Sequence, residues 1–147
     1  MIVPITPASF SDGGSYFDAD RAITHGLALA AAGAAVIDIG GESTRPGADP
    51  VAAEEELRRV LPVVRALAER TPTPLSIDTT KALVAKAAID SGAAMVNDVS
   101  GGDADVEMLP LVADTGAAYV VMHMRGTPVT MQQHANYSDV VGEVCAE

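Results

Sequence analysis

Short apolar runs alternate with helix-like segments along almost the whole chain of 147 residues. The apolar runs have the length and branching of buried strands, and they predict strands at positions 2–6, 35–39, 74–78, 93–99 and 118–123. Segments with apolar residues at helical spacing lie between them, and glycines at Gly33, Gly92 and Gly116 are expected to end three of these helices. Such alternation favours a parallel sheet with right-handed crossover connections.

The regular spacing of strand and helix predicts an α/β fold, a parallel (βα)-barrel of TIM type. No dinucleotide-binding glycine fingerprint follows the first strand, and no phosphate-loop GxxxxGK pattern occurs. A full barrel takes about 250 residues. We therefore expect an incomplete barrel, with about the first five strands and four to five helices, in a single domain over residues 1–147.

Composition excludes several classes of function. The net charge is −11 with only 9 Lys and Arg residues, which argues against nucleic-acid binding through phosphate contacts. The longest apolar run is too short to span a bilayer, so no membrane partner is expected. A single cysteine, Cys145, fits a reducing compartment and predicts a cytoplasmic protein.

Polar residues end every predicted strand: Thr6, Asp38, Asp78, Asn97 with Asp98, and His123. A carboxylate at the end of an apolar strand is costly unless it is paired or hydrogen-bonded. In (βα)-barrels the working residues lie at the C-terminal ends of the strands. The pattern therefore predicts a polar pocket at the mouth of the barrel, although Asp78 alone is also explained as a cap of the following helix.

Two long loops rich in Gly, Ser, Thr and Pro follow the first two strands. Asp12 and Glu42 lie beside glycines in these loops and are candidates for charge stabilisation or proton transfer, while a loop-bracing hydrogen bond explains Glu42 equally well. The planar guanidinium of Arg45 suits a phosphate, and the alternative is a surface arginine stiffened by Pro46. Asp78 and Asn97 together suit the edge of a flat heterocycle such as a pterin or purine.

Five stretches carry a family resemblance: TPASFSDGG, IDIGGESTRPGA, SIDTTK, MVNDVSGG and VMHMRGTPVTMQ. In order and spacing they resemble the dihydropteroate synthase family of folate biosynthesis. The resemblance implies that 6-hydroxymethyl-7,8-dihydropterin pyrophosphate condenses with p-aminobenzoate after pyrophosphate has left. It implies catalytic roles for Asp12, Arg45 and Asp78. It also implies binding roles, with the pterin held by Asp78, Asn97, Val99 and Met122, the aminobenzoate by Phe10, Thr44 and Pro46, and the pyrophosphate by Arg45.

The chain departs from the family pattern at its start and at its end. The family usually has Asn, which helps to bind Mg²⁺ and pyrophosphate, at the position of Pro4, and an Asp at the position of Ala8. The later family motifs do not occur before Glu147, so we expect a partial chain that is inactive or nearly so by itself. The alternatives are a catalytically inactive pterin-binding half-barrel or paralogue, which could bury its open edges in a homodimer, and a pterin domain of the methyltetrahydrofolate methyltransferase type.

Overall fold

The computed structural model of the protein describes residues 1–5, 15–43, 50–127 and 129–146. Within these residues, five strands form one parallel sheet in the order β1-β2-β3-β4-β5. The strands are β1 Ile2–Pro4, β2 Ile37–Gly40, β3 Leu75–Asp78, β4 Met95–Asp98 and β5 Ala118–Val121. The helices are α1 Ser15–Ala31, α2 Ala53–Arg70, α3 Ala82–Asp90, α4 Met108–Thr115, α5 Met131–His134 and α6 Val140–Ala146.

The predicted fold class is confirmed: consecutive strands lie side by side with helices between them, as in an incomplete (βα)-barrel. The strands are shorter than the apolar runs that predicted them. The short helix α5 was not predicted. Gly33, Gly92 and Gly116 all follow helices with positive φ, as expected for helix-stop glycines.

The core lies between one face of the sheet and helices α1 to α4. Strand register places one fully buried apolar residue of each of the first four strands in a row: Val3, Ile39, Ile77 and Val96. Helix α2 packs against the β2 and β3 part of this row with Val60, Val63, Val64 and Leu67, all fully buried. Apolar residues at helical spacing predict a buried face of this helix at Leu57, Val60, Leu61, Val64 and Leu67. In the structure Leu57 and Leu61 are only partly buried, whereas Val63 and Glu56 are fully buried as well.

A second row faces the other side of the sheet, because successive side chains of a strand alternate between its faces. In register along the sheet, this row comprises Pro4, Gly40, Asp78, Asn97 and Val120. In a (βα)-barrel this is the inner face. No helix among the described residues is both long enough and apolar enough to cross a membrane.

Candidate active site

Asp78 and Asn97 lie side by side at the C-terminal ends of β3 and β4. They are direct register partners, so their side chains leave the sheet on the same face. The preceding residues, Ile77 and Val96, are fully buried on the opposite face under the helices, which fixes the direction of both polar side chains. The structure therefore brings together the two residues that were predicted to bind a heterocycle.

The Asp78 carboxyl is held in an environment that disfavours its charge. Burial, followed by the neighbouring carboxylates of Asp38, Glu56, Asp98 and Glu42, raises the pKa of Asp78 to about 7. Its Oδ1 atom is buried and has no hydrogen-bond partner. A buried oxygen without a partner is the site at which a ligand N–H group would be most favourable.

The capping alternative for Asp78 is wrong. The N-cap residue of α3 is Lys81, whose side chain makes no capping hydrogen bond. The backbone N–H of Ala82 instead donates to Asp105 Oδ2 at 2.8 Å, from the loop between β4 and α4. The side-chain oxygen of Thr79 accepts the N–H of Lys81 at 3.2 Å. The helix start is thus satisfied without Asp78.

Asn97 contacts an aspartate two strands away. Its Nδ2 donates to Asp38 Oδ2 at 3.0 Å, across the intervening strand β3. Asp38 is the second residue of β2 and not its tip, because the strand continues through Ile39 and Gly40. The second oxygen, Asp38 Oδ1, is buried without a hydrogen-bond partner.

Asp98 does not join this group, which corrects the expectation that all the polar strand ends meet in one pocket. It is fully buried on the opposite face, next to the row of core residues. Its oxygens accept the N–H and hydroxyl of Ser100 at 2.8 and 2.7 Å, the N–H of Gly102 at 3.0 Å and the hydroxyl of Tyr119 at 2.8 Å. Asp98 therefore braces the loop after β4.

His123, the last predicted polar tip, lies two residues beyond β5. Its Nε2 is 2.9 Å from the Tyr137 hydroxyl, and the Arg125 guanidinium lies 4.2 Å from the centre of the Tyr137 ring. Arg125 Nη2 also donates to Glu143 at 2.8 Å. These contacts fold the segment after β5 back on itself and fix the position of Met124 between His123 and Arg125.

A cavity of about 330 Å³ opens beside Asp78. Its walls come from the segments that directly follow β2, β3, β4 and β5: Glu42, Ser43, Asp78, Thr79, Thr80, Val99, Ser100, Asp103, Ala104, Met124, Gly126 and Thr127. Val99 was predicted in the pocket wall and lines it. Two predicted residues are not among the lining residues: Met122, which is 39% exposed, and Asn97, which lies beside Asp78 on the inner face; Met124 lines the cavity instead.

The lining residues that sequence reasoning did not single out include Thr79, Ser100, Asp103 and Met124. All four follow the end of a strand within a few residues, and that position is the signal that could have found them.

A partly buried lysine, Lys81, ties the loop after β2 to helix α2. Lys81 Nζ donates to Glu56 Oε2 at 2.6 Å and to Glu42 Oε2. Glu56 is fully buried, while Lys81 and Glu42 are about one-quarter exposed. Burial by itself lowers the pKa of Lys81, but the hydrogen bonds that Lys81 donates to Glu42 and Glu56 and the charges of these two residues outweigh it, and the pKa lies above its usual value. Glu42 therefore braces the loop and lines the cavity as well.

The same loop base is fixed through its backbone. Arg59 Nη1 donates to the carbonyl of Gly41 at 2.9 Å. A Cβ at Gly41 would lie 2.8 Å from Val60 Cγ1 and 3.0 Å from Glu56 Cγ, so only glycine fits between the loop and α2. The first residues of this loop are thus held in place by α2 and by the start of α3.

Several predicted site residues lie outside the described residues: Thr6, Phe10, Asp12, Thr44, Arg45 and Pro46. Their roles stay predictions. Pro4 is described, and it ends β1 opposite Gly40. Its side chain has no oxygen and cannot coordinate a metal. Within the described part of the chain, no group of three or more His, Cys, Asp or Glu side chains is arranged to hold a metal ion.

This site lies at the C-terminal ends of parallel strands, which is where (βα)-barrel enzymes bind their ligands. The sequence profile of the family described as "Pterin binding enzyme" matches residues 1–147. The chain belongs to the pterin binding enzyme family.

Among curated proteins, the chain is 54% identical over 147 residues to the dihydropteroate synthase of Mycobacterium leprae, with 99% of this chain and 51% of that protein covered. It is 45% identical over 143 residues to the dihydropteroate synthase of Escherichia coli K12, covering 97% of this chain and 50% of that protein. The chain thus spans about half the length of these relatives.

Solved structures give the same result. The dihydropteroate synthase of Xanthomonas albilineans with 4-aminobenzoic acid superposes with a TM-score of 0.86 at 49% identity, covering 97% of this chain and 50% of that one. The Yersinia pestis dihydropteroate synthase with a sulfonamide drug superposes with a TM-score of 0.88 at 44% identity, covering 99% and 52%.

Proposed function

We propose that this chain carries the pterin site of a dihydropteroate synthase and takes part in folate biosynthesis. The substrates are 6-hydroxymethyl-7,8-dihydropterin pyrophosphate and p-aminobenzoate, and the products are 7,8-dihydropteroate and pyrophosphate. Membership of the pterin binding enzyme family supports the pterin site. The similar proteins named dihydropteroate synthase, one of them solved with 4-aminobenzoic acid, support the second substrate.

One observation carries the proposal: the buried Asp78 Oδ1 atom has no partner and stands next to Asn97 beside a cavity. An ionised carboxylate accepts two N–H groups, which matches the 2-amino and ring N–H groups on one edge of a pterin. The Asn97 amide adds hydrogen bonds beside them. The cavity of about 330 Å³ is large enough for a two-ring heterocycle.

The reaction breaks the C–O bond between the pterin methylene and pyrophosphate, and the electron pair leaves with pyrophosphate. The amine of p-aminobenzoate then attacks the methylene cation, forms the C–N bond and loses a proton. Asp78 and Asn97 hold the pterin during both steps. By the family resemblance, Asp12 faces the developing cation and Arg45 binds the departing pyrophosphate; both lie outside the described residues.

The family resemblance also implies Mg²⁺ at the pyrophosphate. Pro4 does not fit that role, because it offers no side-chain donor where the family usually has Asn. The residues that are present therefore do not fit this metal, and Mg²⁺ dependence stays a prediction of the family resemblance. A cytoplasmic location likewise stays a proposal, supported by the single cysteine of the sequence.

Calorimetric titration with 6-hydroxymethylpterin tests the pterin site. We expect the Asp78→Ala variant to lose at least about tenfold in affinity, since hydrogen bonds to a charged group contribute about 1.5–3 kcal/mol. Asp78 must be ionised to accept two N–H groups. Because its pKa lies at about 7, affinity for the wild-type chain should rise as pH increases through 7 and then level off.

Asp114→Ala is the matched control, because Asp114 is an exposed aspartate on α4. Equal affinity of the Asp78→Ala variant and the wild type would show that the site is assigned to the wrong residue. A competition measurement separates the synthase from a methyltransferase-type pterin domain: a sulfonamide should displace p-aminobenzoate in equilibrium dialysis. A chain that binds pterin but not p-aminobenzoate would favour the methyltransferase alternative.

A further inference from the structure

Asp38 lies below the proposed pterin site and is not one of its predicted ligand-binding residues. It is on β2, 59 residues before Asn97, and its Oδ2 accepts the Asn97 Nδ2–H at 3.0 Å across β3. We propose that Asp38 is a positioning residue that fixes the Asn97 amide, so that Asn97 turns its Oδ1 atom away from β2 and presents it to the ligand.

The direction of the amide follows from the chemistry of its partner. An ionised carboxylate can only accept hydrogen bonds, so the atom of Asn97 next to Asp38 must be the NH₂ nitrogen. Turning the amide over would set two oxygens against each other at the same distance. Asp38 thereby selects one of the two orientations that the amide of a free asparagine can adopt. The inference rests on the proposed pterin site, because it states which Asn97 atom contacts the pterin.

Fixing the amide determines which ligand edge the site accepts. Asp78 offers carboxylate oxygens, and Asn97 next to it offers Oδ1 and one remaining N–H. The two neighbouring acceptors favour a heterocycle edge with an exocyclic amino group between them, because its two hydrogens can be donated one to Asp78 and one to Asn97 Oδ1. They disfavour an edge that places a ring nitrogen lone pair opposite Asn97 Oδ1. Asp38 is thus a determinant of specificity that need not touch the ligand.

Asp38 acts on Asp78 as well, through its charge. Four carboxylates lie near enough to Asp78 to raise its pKa: Asp38 on β2, Glu42 in the following loop, Glu56 on α2, and Asp98, which is on β4 but on the other face of the sheet. Glu42 and Glu56 are both paired with Lys81, and Asp98 is satisfied by its own hydrogen bonds. Asp38 has the largest effect of the four, and one of its oxygens is unpaired.

The test uses the Asp38→Asn variant of the full chain, because this substitution keeps the shape of the side chain and removes its charge. In ¹⁵N-labelled protein, the side-chain NH₂ resonances of Asn97 are assigned with the Asn97→Asp variant. We expect these resonances to move in the Asp38→Asn variant. At about pH 8.5, where Asp78 is ionised in both proteins, affinity for 6-hydroxymethylpterin should fall about tenfold or more, because the Asn97 amide is no longer fixed.

The pH dependence of binding distinguishes positioning from a merely structural role. Without the Asp38 charge, Asp78 ionises at a lower pH, so the midpoint at which pterin binding appears should move to lower pH in the Asp38→Asn variant. The Asp114→Asn variant is the control and should leave both the midpoint and the Asn97 resonances unchanged. Asp38→Ala should reproduce the loss of affinity.

Unchanged Asn97 resonances together with an unchanged pH midpoint in the Asp38→Asn variant would overturn the inference. If the wild-type chain binds no pterin, the proposed function is contradicted, and so is the ligand-facing role of Oδ1. The NH₂ resonances are measured without ligand, so they report on the contact between Asp38 and Asn97 even if the chain binds no pterin. A failure of the proposed function and a failure of this contact can therefore be distinguished.

Discussion

At the scale of single residues, Asp78 has two features that disfavour its charged form in the folded protein. It lies on the inner face of the sheet next to other carboxylates, and one of its oxygens has no hydrogen-bond partner. Both features disfavour its charged form, so an ionised Asp78 lowers the stability of the folded chain. A binding group that is unsatisfied in the free protein is expected at a ligand site, because the ligand then supplies the missing hydrogen bonds.

Replacing Asp78 with Asn should therefore stabilise the protein in a pH-dependent way. In the unfolded chain Asp78 ionises near pH 3.8, whereas in the folded chain it keeps its proton up to about pH 7. Between these values the folded state binds more protons, so the contribution of Asp78 to the free energy of unfolding falls as pH rises. A shift of about three units corresponds to at most about 4 kcal/mol.

Urea denaturation from pH 4 to pH 8 measures this effect. The free energy of unfolding of the Asp78→Asn variant minus that of the wild type should grow with pH and level off above about pH 7. The Asp114→Asn variant should differ from the wild type by a small constant amount. Parallel curves for Asp78→Asn and the wild type would mean that the Asp78 carboxyl is not held in its neutral form.

At the scale of elements, the contact of α2 and α3 with the loop after β2 sets the geometry of the cavity. Lys81 lies just before α3 and bridges Glu56 of α2 and Glu42 of the loop. The loop backbone is held by Arg59 at Gly41. Two sets of contacts thus fix the wall that contains Glu42 and Ser43. One is the ion-pair network of Lys81, and the other is the hydrogen bond from Arg59 of α2 to the Gly41 carbonyl.

Removing the lysine from this network should be costly. The Lys81→Met variant leaves the fully buried Glu56 carboxylate without its partner, and the expected loss of stability is about 3–5 kcal/mol. Lys86→Met is the matched control, because Lys86 pairs with Asp90 on the exposed side of α3 and both side chains are 59% exposed. The control should change stability by less than about 1 kcal/mol.

Urea denaturation at pH 7 compares the two variants. Adding Glu56→Met to Lys81→Met should recover most of the lost stability, because the unpaired buried charge is then gone. If Lys81→Met proved as mild as Lys86→Met, the network would not support the loop in the way that its geometry indicates.

At the scale of the whole molecule, one core joins all the strands to helices α1 to α4, but the sheet has two ends. Among the described residues, β5 pairs with β4 alone, and its residues Val120 and Val121 are 42% and 70% exposed. An apolar strand with unpaired backbone groups tends to pair with another chain. If the 147-residue chain forms the homodimer expected from its sequence, we predict that β5 is the contact surface.

Introducing a charge at this edge should weaken self-association of the 147-residue chain. In sedimentation velocity over a range of protein concentrations, the Val121→Lys variant should remain more monomeric than the wild type. Val106→Lys is the control, since Val106 is 82% exposed but lies in the loop before α4 and not on a strand. If both variants associate as strongly as the wild type, β5 is not the contact surface.

The sequence predicted the order of strands and helices, because the period of apolar residues is a local property. The polar side chains of Asp78 and Asn97 could be predicted to meet, because the ends of parallel strands lie at one edge of a sheet. The individual strand bounds could not be predicted as well, since each strand ends where its hydrogen bonds to neighbours end. Local propensity only partly determines that point.

Local sequence therefore determined the fold class and the chemistry available at the ends of the strands. The tertiary structure alone decided which of these polar residues act together: Asp38 reaches Asn97 across a strand, Asp98 turns to the opposite face, and Lys81 finds a carboxylate on another helix. These contacts join residues 21 to 59 positions apart. They depend on strand register and on helix packing, which no short stretch of sequence specifies by itself.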